Sequence, residues 1–373
     1  PAKAEDRAIT VFNVDTFQDM ADIYLNGVCS AGQLTGGPCS LRAAVTEAYK
    51  IMQQDKDLHI KLPYGTYTLT LNDSSFEDGY YGDLDFKTLP DGFENNKRTV
   101  TIEGTDPQRP SVINANGIDR VLQIGFYYNI ILKNLIITGG RLVATTLNEA
   151  RGGGIYKRQF STLELNKVRI TNNVIVCDAC QYTLGGGISS TDQLTINNSE
   201  IDHNTATIGS AIEQVGRYYP LYIRNSSIHS NYMDKGRVVH GSGLLLNLVN
   251  STVEGEIHWM NGGDVWIQNS TLYSTPYNAP DPTAILANIR TYCYNCSVNL
   301  KIKNSILITQ NKDNPAITHG PNCYFDHTMI SAESLGGNVF SDDTCPFRPD
   351  LKDIRVTNPL HALLGPLWNN GGP

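Results

Sequence analysis

Four side chains able to move protons, Asp202, His229, Glu254 and Tyr273, occupy the same place in successive copies of a repeated phrase. The copies read LTINNSEI from Leu194, LYIRNSSI from Leu221, LVNSTV from Leu248 and VWIQNSTL from Val265. In each, the residue after the last apolar position (Ile201, Ile228, Val253, Leu272) is one of the four, and Thr171 follows Ile170 in the same way. If the copies stack, strand alternation turns these residues outward as a row with steps of about 5 Å. A second outward row, two residues earlier, reads Arg169, Glu200, Ser227, Thr252 and Thr271.

Such rows suit polysaccharide chemistry. Asp202 and Glu254, two steps apart, approach the roughly 6.5–9.5 Å carboxylate separation of an inverting glycosidase, with His229 between them. Alternatively, His229 or Tyr273 abstracts a proton from a uronate while Arg169 or a bound cation neutralises its carboxylate. Arg169 and Glu200 are then substrate-binding candidates, joined by Arg217, Tyr218 and Tyr219 as a sugar-stacking loop. The competing explanation is plain: outward positions of any stacked fold are polar, and a Tyr-rich turn is a solvated turn. Glu213, Asp264, His240 and His258 are secondary acid–base candidates.

The stacking follows from one column of the repeat, Asn134, Lys167, Asn198, Asn225, Asn250, Asn269 and Asn304. Its spacing varies from 19 residues (Asn250 to Asn269) to 35 (Asn269 to Asn304). Short alternating apolar runs at this period indicate stacked strands; irregular lengths exclude leucine-rich repeats and propellers. Asn tolerates left-handed backbone and bonds to its own kind one coil away, so the column reads as an inner bend. The Asn-Ser-Ser and Asn-Ser-Thr sequons at Asn225, Asn250 and Asn269 then read as coincidental and poorly reachable. A glycine phrase at Gly152, Gly185, Gly209 and Gly241 introduces a further sheet beginning at Ile155, Ile188, Ile212 and Leu244. The expectation is an all-β, single-stranded right-handed parallel β-helix with an N-terminal capping helix and long lateral loops.

Three parts follow. Residues 1–58 form a cap with a strand, a cysteine loop and a helix over 40–52, begun by Ser40; residues 59–310 form the coils; residues 311–373 form the last coils and tail. Asn72 to Lys97 reads as a lateral loop, and Asp83 to Asp85 within it as candidate calcium ligands; no cofactor is required. Pro1 is not an initiator Met, so the chain reads as processed or trimmed.

The formal net charge of −8, without clustered Lys or Arg, argues against nucleic acid as a partner. No run approaches the roughly 18 apolar residues of a membrane helix. Eight cysteines, an even number, would form four local bridges if paired in sequence order, Cys29 with Cys39, Cys177 with Cys180, Cys293 with Cys296 and Cys323 with Cys345, which points to an oxidising compartment, though spacing alone does not fix the connectivity. The two Cys-x-x-Cys pairs also have zinc-site spacing. They fall about four coils, roughly 19 Å, apart, too far to share an ion, and read as local staples or free thiols.

Three stretches, Cys39-Ser-Leu-Arg-Ala-Ala-Val45, Leu62-Pro-Tyr-Gly-Thr-Tyr-Thr-Leu69 and Gly365-Pro-Leu-Trp-Asn-Asn-Gly-Gly-Pro373, together resemble the CSLREA-type, choice-of-anchor family of secreted right-handed β-helix proteins. Ala43 stands where that motif usually has Glu. The Gly-Gly-Gly-Ile phrases, with Ile170-Thr-Asn-Asn173, Ile201-Asp-His-Asn204 and Ile228-His-Ser-Asn231, are similar to repeats of polymorphic outer-membrane adhesins, with Ile replacing Phe. These resemblances imply export to the surroundings or the cell surface and no single activity. The expected function is binding, and in its stronger form lyase- or glycosidase-type cleavage, of extracellular polysaccharide or cell-surface glycan. The alternative is a non-catalytic surface adhesin or filament component.

Overall fold

The computed structural model describes residues 7–72, 80–94, 97–233, 237–274, 287–293, 296–309, 320–326, 329–347 and 352–356. Nearly all its regular structure is strand, and every pairing is parallel, each strand bonding to the corresponding strand one coil away. This is the pairing of a parallel β-helix.

Three apolar columns fill the interior. On the first wall Ile60, Ile102, Leu132, Leu165, Ile196, Ile223, Leu248, Ile267 and Ile302 follow one another in register. On the second, the sequence runs from Tyr67 and Ile113 through Ile137, Ile170, Ile201, Ile228, Val253 and Leu272 to Leu307 and Phe340. On the third it runs from Leu84 and Leu122 through Ile155, Ile188, Ile212, Val239 and Ile257 to Ile289. All are buried. At about 25 cal/mol per Å² of apolar surface removed from water, such columns hold each coil on the next.

The corner between the first and second walls is the repeated Asn column. Asn134, Asn198, Asn225, Asn250, Asn269 and Asn304, with Lys167, all have φ between 47° and 56°. Amides bond from coil to coil, Asn225 Nδ2 to Asn198 Oδ1 at 3.3 Å and Asn250 Nδ2 to Asn225 Oδ1 at 3.2 Å. The expected inner bend is corrected here: Asn225, Asn250, Asn269 and Asn304 are exposed. A single left-handed residue at a sharp corner throws its own side chain outward and its successor inward. Hence the following serines, Ser199, Ser226, Ser251, Ser270 and Ser305, are buried, and four of their hydroxyls accept the preceding serine's N–H at 3.1–3.2 Å. The sequon asparagines therefore lie on the outside.

A second asparagine ladder is the internal one. Asn173, Asn204 and Asn231, the last residues of the Ile-x-x-Asn phrases, are buried and linked by Nδ2 to Oδ1 bonds of 2.9 and 3.1 Å. Beside it, Arg141–Val143, Val174–Val176, Thr205–Ala206 and Tyr232–Met233 form a small separate sheet over Leu142, Ala150 and Ile175.

At the N-terminal end the helix Leu41–Gln53 starts on Ser40, whose hydroxyl accepts from Ala43 N, and buries an apolar face against the first coils. Arg42 is buried and clamps the cap: Nε and Nη2 reach Asp19 at 2.7 and 3.1 Å, while Nη1 and Nη2 donate to Asp83 O and Gly82 O at 2.8 Å. The strand Ile9–Asn13 pairs with Asp57–Leu62 and so already belongs to the first wall.

Two further expectations change. Leu84–Phe86, within the supposed lateral loop, is the first rung of the third wall. Gly152, Gly185 and Gly209 do turn with positive φ before Ile155, Ile188 and Ile212, but the next rung is Val239, and Leu244 is 58% exposed. The four sequential disulfides are present. They indicate a non-reducing environment. No helix among the described residues is long and apolar enough to cross a membrane. The GPLWNNGGP ending lies outside the described residues.

Candidate functional site

The second wall aligns the two expected rows. Thr171, Asp202 and His229 are register partners, as are Glu254 and Tyr273, and Arg169, Glu200, Ser227, Thr252 and Thr271 run alongside. Outward, however, is not the same as available. Asp202 is fully buried, receiving Arg169 Nε at 2.8 Å and Nη2 at 2.7 Å, Thr171 Oγ1 at 3.1 Å, and the His203 ring. Burial pushes its carboxyl up, but the hydrogen bonds of Arg169, then His203, outweigh it and hold it below the usual carboxylate range. An acid so satisfied is a poor proton donor or base.

His229 Nε2 lies 2.9 Å from Glu200 Oε1, and this bond raises the imidazole pKa against the opposing effect of burial. Glu254 accepts Ser230 N–H at 3.0 Å, and burial with Glu254 nearby raises Tyr273. Arg169 also lies 3.6 Å from Glu200. The row is thus an alternating ionic strip in which Arg169 and His229 already have acidic partners.

The other candidates stand elsewhere. Tyr218, 74% exposed, and half-buried Tyr219 lie in an irregularity between Gly216 and Pro220, where the third wall turns into the first. They and the Arg217 backbone are therefore not brought to the second-wall row; the Arg217 side chain lies outside the described residues. Asp264 is on the first wall, accepting from Asn299 Nδ2 at 2.8 Å. The Asp83–Asp85 stretch does not present an open ligand set: Asp83 is buried, lies 3.3 Å from Arg120 Nη1, and is pushed well up by burial and by Asp85. Among the described residues no group of three His, Cys, Asp or Glu is arranged to hold a metal ion.

The third wall places Ser189, Glu213, His240, His258 and Arg290 in consecutive register on its outer face. Glu213 is buried, bonded by Arg151 Nη1 at 2.9 Å and Ser189 Oγ at 2.5 Å, and raised by burial. His240 and His258 are buried with ring centroids 5.0 Å apart. Burial, reinforced by Arg237, depresses them to about 4 and about 2 respectively.

A first-wall row was not foreseen. Tyr222, Asn247, Trp266 and Lys301 are successive register partners, and Arg224, Val249, Gln268 and Lys303 run beside them. Trp266 is 42% exposed with Lys301 Nζ 5.8 Å from its ring centre, and Arg224 lies 4.4 Å from the Tyr222 ring centre. The signal was in the phrases themselves, as the aromatic second residue of LYIRN and VWIQN.

No family model, no curated protein and no solved structure matches this chain.

Proposed function

We propose that this chain is an exported right-handed β-helix protein that binds an extended polysaccharide along its lateral face without cleaving it. The carrying observation is the first-wall row, in which Tyr222 and Trp266 stand two coils apart with Asn247 between them and Lys301 beyond. Two coils are about 10 Å, the scale of a disaccharide step, so two rings stack on alternate sugars while Asn247 bonds the hydroxyls between. Arg224, Lys301 and Lys303 favour an acidic chain, although Lys301 is shared with Glu333 at 3.4 Å. Export accords with the four disulfides and with the CSLREA-type resemblance.

Cleavage is the second reading, favoured by the raised His229 beside Glu200 and in line with Glu254 and Tyr273. Against it, the inverting pair requires Asp202, which is fully engaged. Affinity electrophoresis in gels containing acidic or neutral polysaccharide tests the first reading. Trp266→Ala is expected to weaken retention about tenfold, as loss of an aromatic anchor worth roughly 1.4 kcal/mol would. Unchanged retention in Trp266→Ala and Tyr222→Ala sinks it. Release of reducing ends or of unsaturated products, abolished in His229→Ala, would establish the second.

A further inference from the structure

The third wall holds polar groups that its own structure leaves unsatisfied. His258 is 4% exposed and neither ring nitrogen has a hydrogen-bond partner; His240 is 9% exposed and its Nδ1 has none. Such atoms each cost about 1–3 kcal/mol, and they are rare enough in folded proteins to require a reason. The adjacent Glu213 shows the contrast, since Arg151 and Ser189 satisfy it.

The surrounding charge identifies what would satisfy the imidazoles. Arg290 is the register partner of His258, Arg237 is the partner of Glu256, and both guanidinium groups depress His258. Glu256 is the acidic group beside Arg237. Arg237 Nε is 3.8 Å from its Oε1, Ala287 N–H donates to it at 3.0 Å, and burial raises it to about 7. Two imidazoles beside two guanidinium groups repel a metal cation and attract an oxyanion.

We propose that His240 and His258, with Arg237 and Arg290, form a binding site for an oxyanion, the carboxylate of a uronic acid or a sulfate group. The ligand oxygens accept N–H bonds from the imidazoles, and their negative charge draws a proton onto the pair. Binding is therefore coupled to proton uptake and tightens as pH falls. Among the described residues the charged groups facing the pair are Arg237, Arg290 and Glu256, with Glu213 one coil from His240 and the Arg151 guanidinium bonded to it. Binding here is independent of the first-wall row.

Isothermal titration of the full chain with glucuronate, sodium sulfate, glucose and zinc chloride, each in two buffers of different ionisation heat, tests this. The expected result is saturable binding of glucuronate or sulfate and none of glucose. Net proton uptake should accompany it, with affinity at least tenfold weaker in His258→Leu. Glucuronate without sulfate identifies a carboxylate site, and the converse a sulfate site. Should His258→Leu not fold, histidine ring NMR of the wild-type chain decides: the His240 and His258 signals, assigned with His240→Gln, must shift with the oxyanion. Absence of saturable oxyanion binding, binding that survives His258→Leu, shifts confined to other histidines, or zinc binding in place of the oxyanion would each overturn the proposal.

Discussion

On the second wall, Arg169 sits one coil from Glu200 and Asp202, and His229 one coil from Glu200's rung; on the third wall, His240 sits one coil from His258. The stacking rule is the same in both places and the consequences are opposite. Neighbouring rungs lie about 4.8 Å apart, so residues of opposite charge in successive coils pair directly. Two neutral imidazoles surrounded by guanidinium groups find no such answer. The second wall therefore stores its polar residues as structure, whereas the third keeps three imidazole nitrogens of His240 and His258 that no protein group satisfies. A chemically suggestive row is thus weak evidence of chemistry until the partners of each side chain are known.

Stability measurements expose this contrast most strongly. Asp202→Ala removes both Arg169 bonds and the Thr171 bond, leaving half-exposed Arg169 only Glu200 at 3.6 Å, and should cost about 2 kcal/mol in urea or guanidinium unfolding. His258→Leu removes unsatisfied polar atoms while keeping apolar volume, and should be neutral or stabilising by about 1 kcal/mol. Equal losses in the two variants would erase the distinction between the walls.

Acidification separates the two kinds of buried group within the third wall. A histidine depressed from 6.5 to about 4, as His240 is, stays neutral in the fold while the unfolded chain takes up its proton; stability is lost as pH falls through that window. Glu256 works the other way. Raised from 4.5 to about 7, it is protonated first in the fold, so its contribution is present below 4.5 and is lost as pH rises through about 7. Each shift corresponds to about 3 kcal/mol at most. The two histidines pull stability down between about pH 6.5 and 4.5, against the raised carboxyls of Glu256 and Glu213. The double variant His240→Leu, His258→Leu should instead gain stability over the same range in pH-dependent unfolding; a parallel fall would show that the histidines are not the cause.

The Asn-Ser corner gives a smaller and sharper comparison. Ser226→Ala leaves the Ser199 N–H without its acceptor in the buried ladder and should cost about 1–2 kcal/mol. Asn225→Gly, one residue earlier on the outside, keeps the left-handed φ of 50° available and should change unfolding by less than about 0.5 kcal/mol, whereas Asn225→Ala should cost about 1.

How far the sequence revealed this molecule depends on how each part is encoded. The repeated phrase spans the first corner, so its spacing gave the register of the second wall rung by rung, from Thr171 to Tyr273. Ser40 and the apolar spacing after it marked the helix, and sequence order suggested the four cysteine pairs without fixing their connectivity. The direction of the corner was not legible from residue types: alternation predicts neighbours on opposite faces but not which of Asn225 and Ser226 turns inward once φ becomes positive. The third wall was harder still, because its strands follow insertions of unequal length. Leu84–Phe86 has only three residues, and the irregularity between Gly216 and Pro220 puts Tyr218 and Tyr219, read as a sugar-stacking loop, between the third and first walls and away from the second-wall row. His240 and His258 were visible as candidates, but their lack of partners belongs to packing. Trp266 and Tyr222 stand outside any acid–base pattern, although an aromatic row is encoded in the same phrases.

The smallest effect concerns the second wall's histidine. Glu200→Gln replaces the carboxylate facing His229 with an amide of the same shape, removing the negative charge that favours the protonated imidazole. A raised histidine contributes stability below its unfolded value of 6.5, and that contribution is lost as pH rises through the folded value. With Glu200 39% exposed at its side chain, the loss in Glu200→Gln should stay under about 1 kcal/mol, confined to acidic conditions. The informative measurement is NMR titration of the His229 ring: its pKa should drop toward the ordinary value in Glu200→Gln, while those of His240 and His258 stay where they are. If His229 does not move, the second-wall strip is not electrostatically coupled, and its alternating charges are neighbours by register alone.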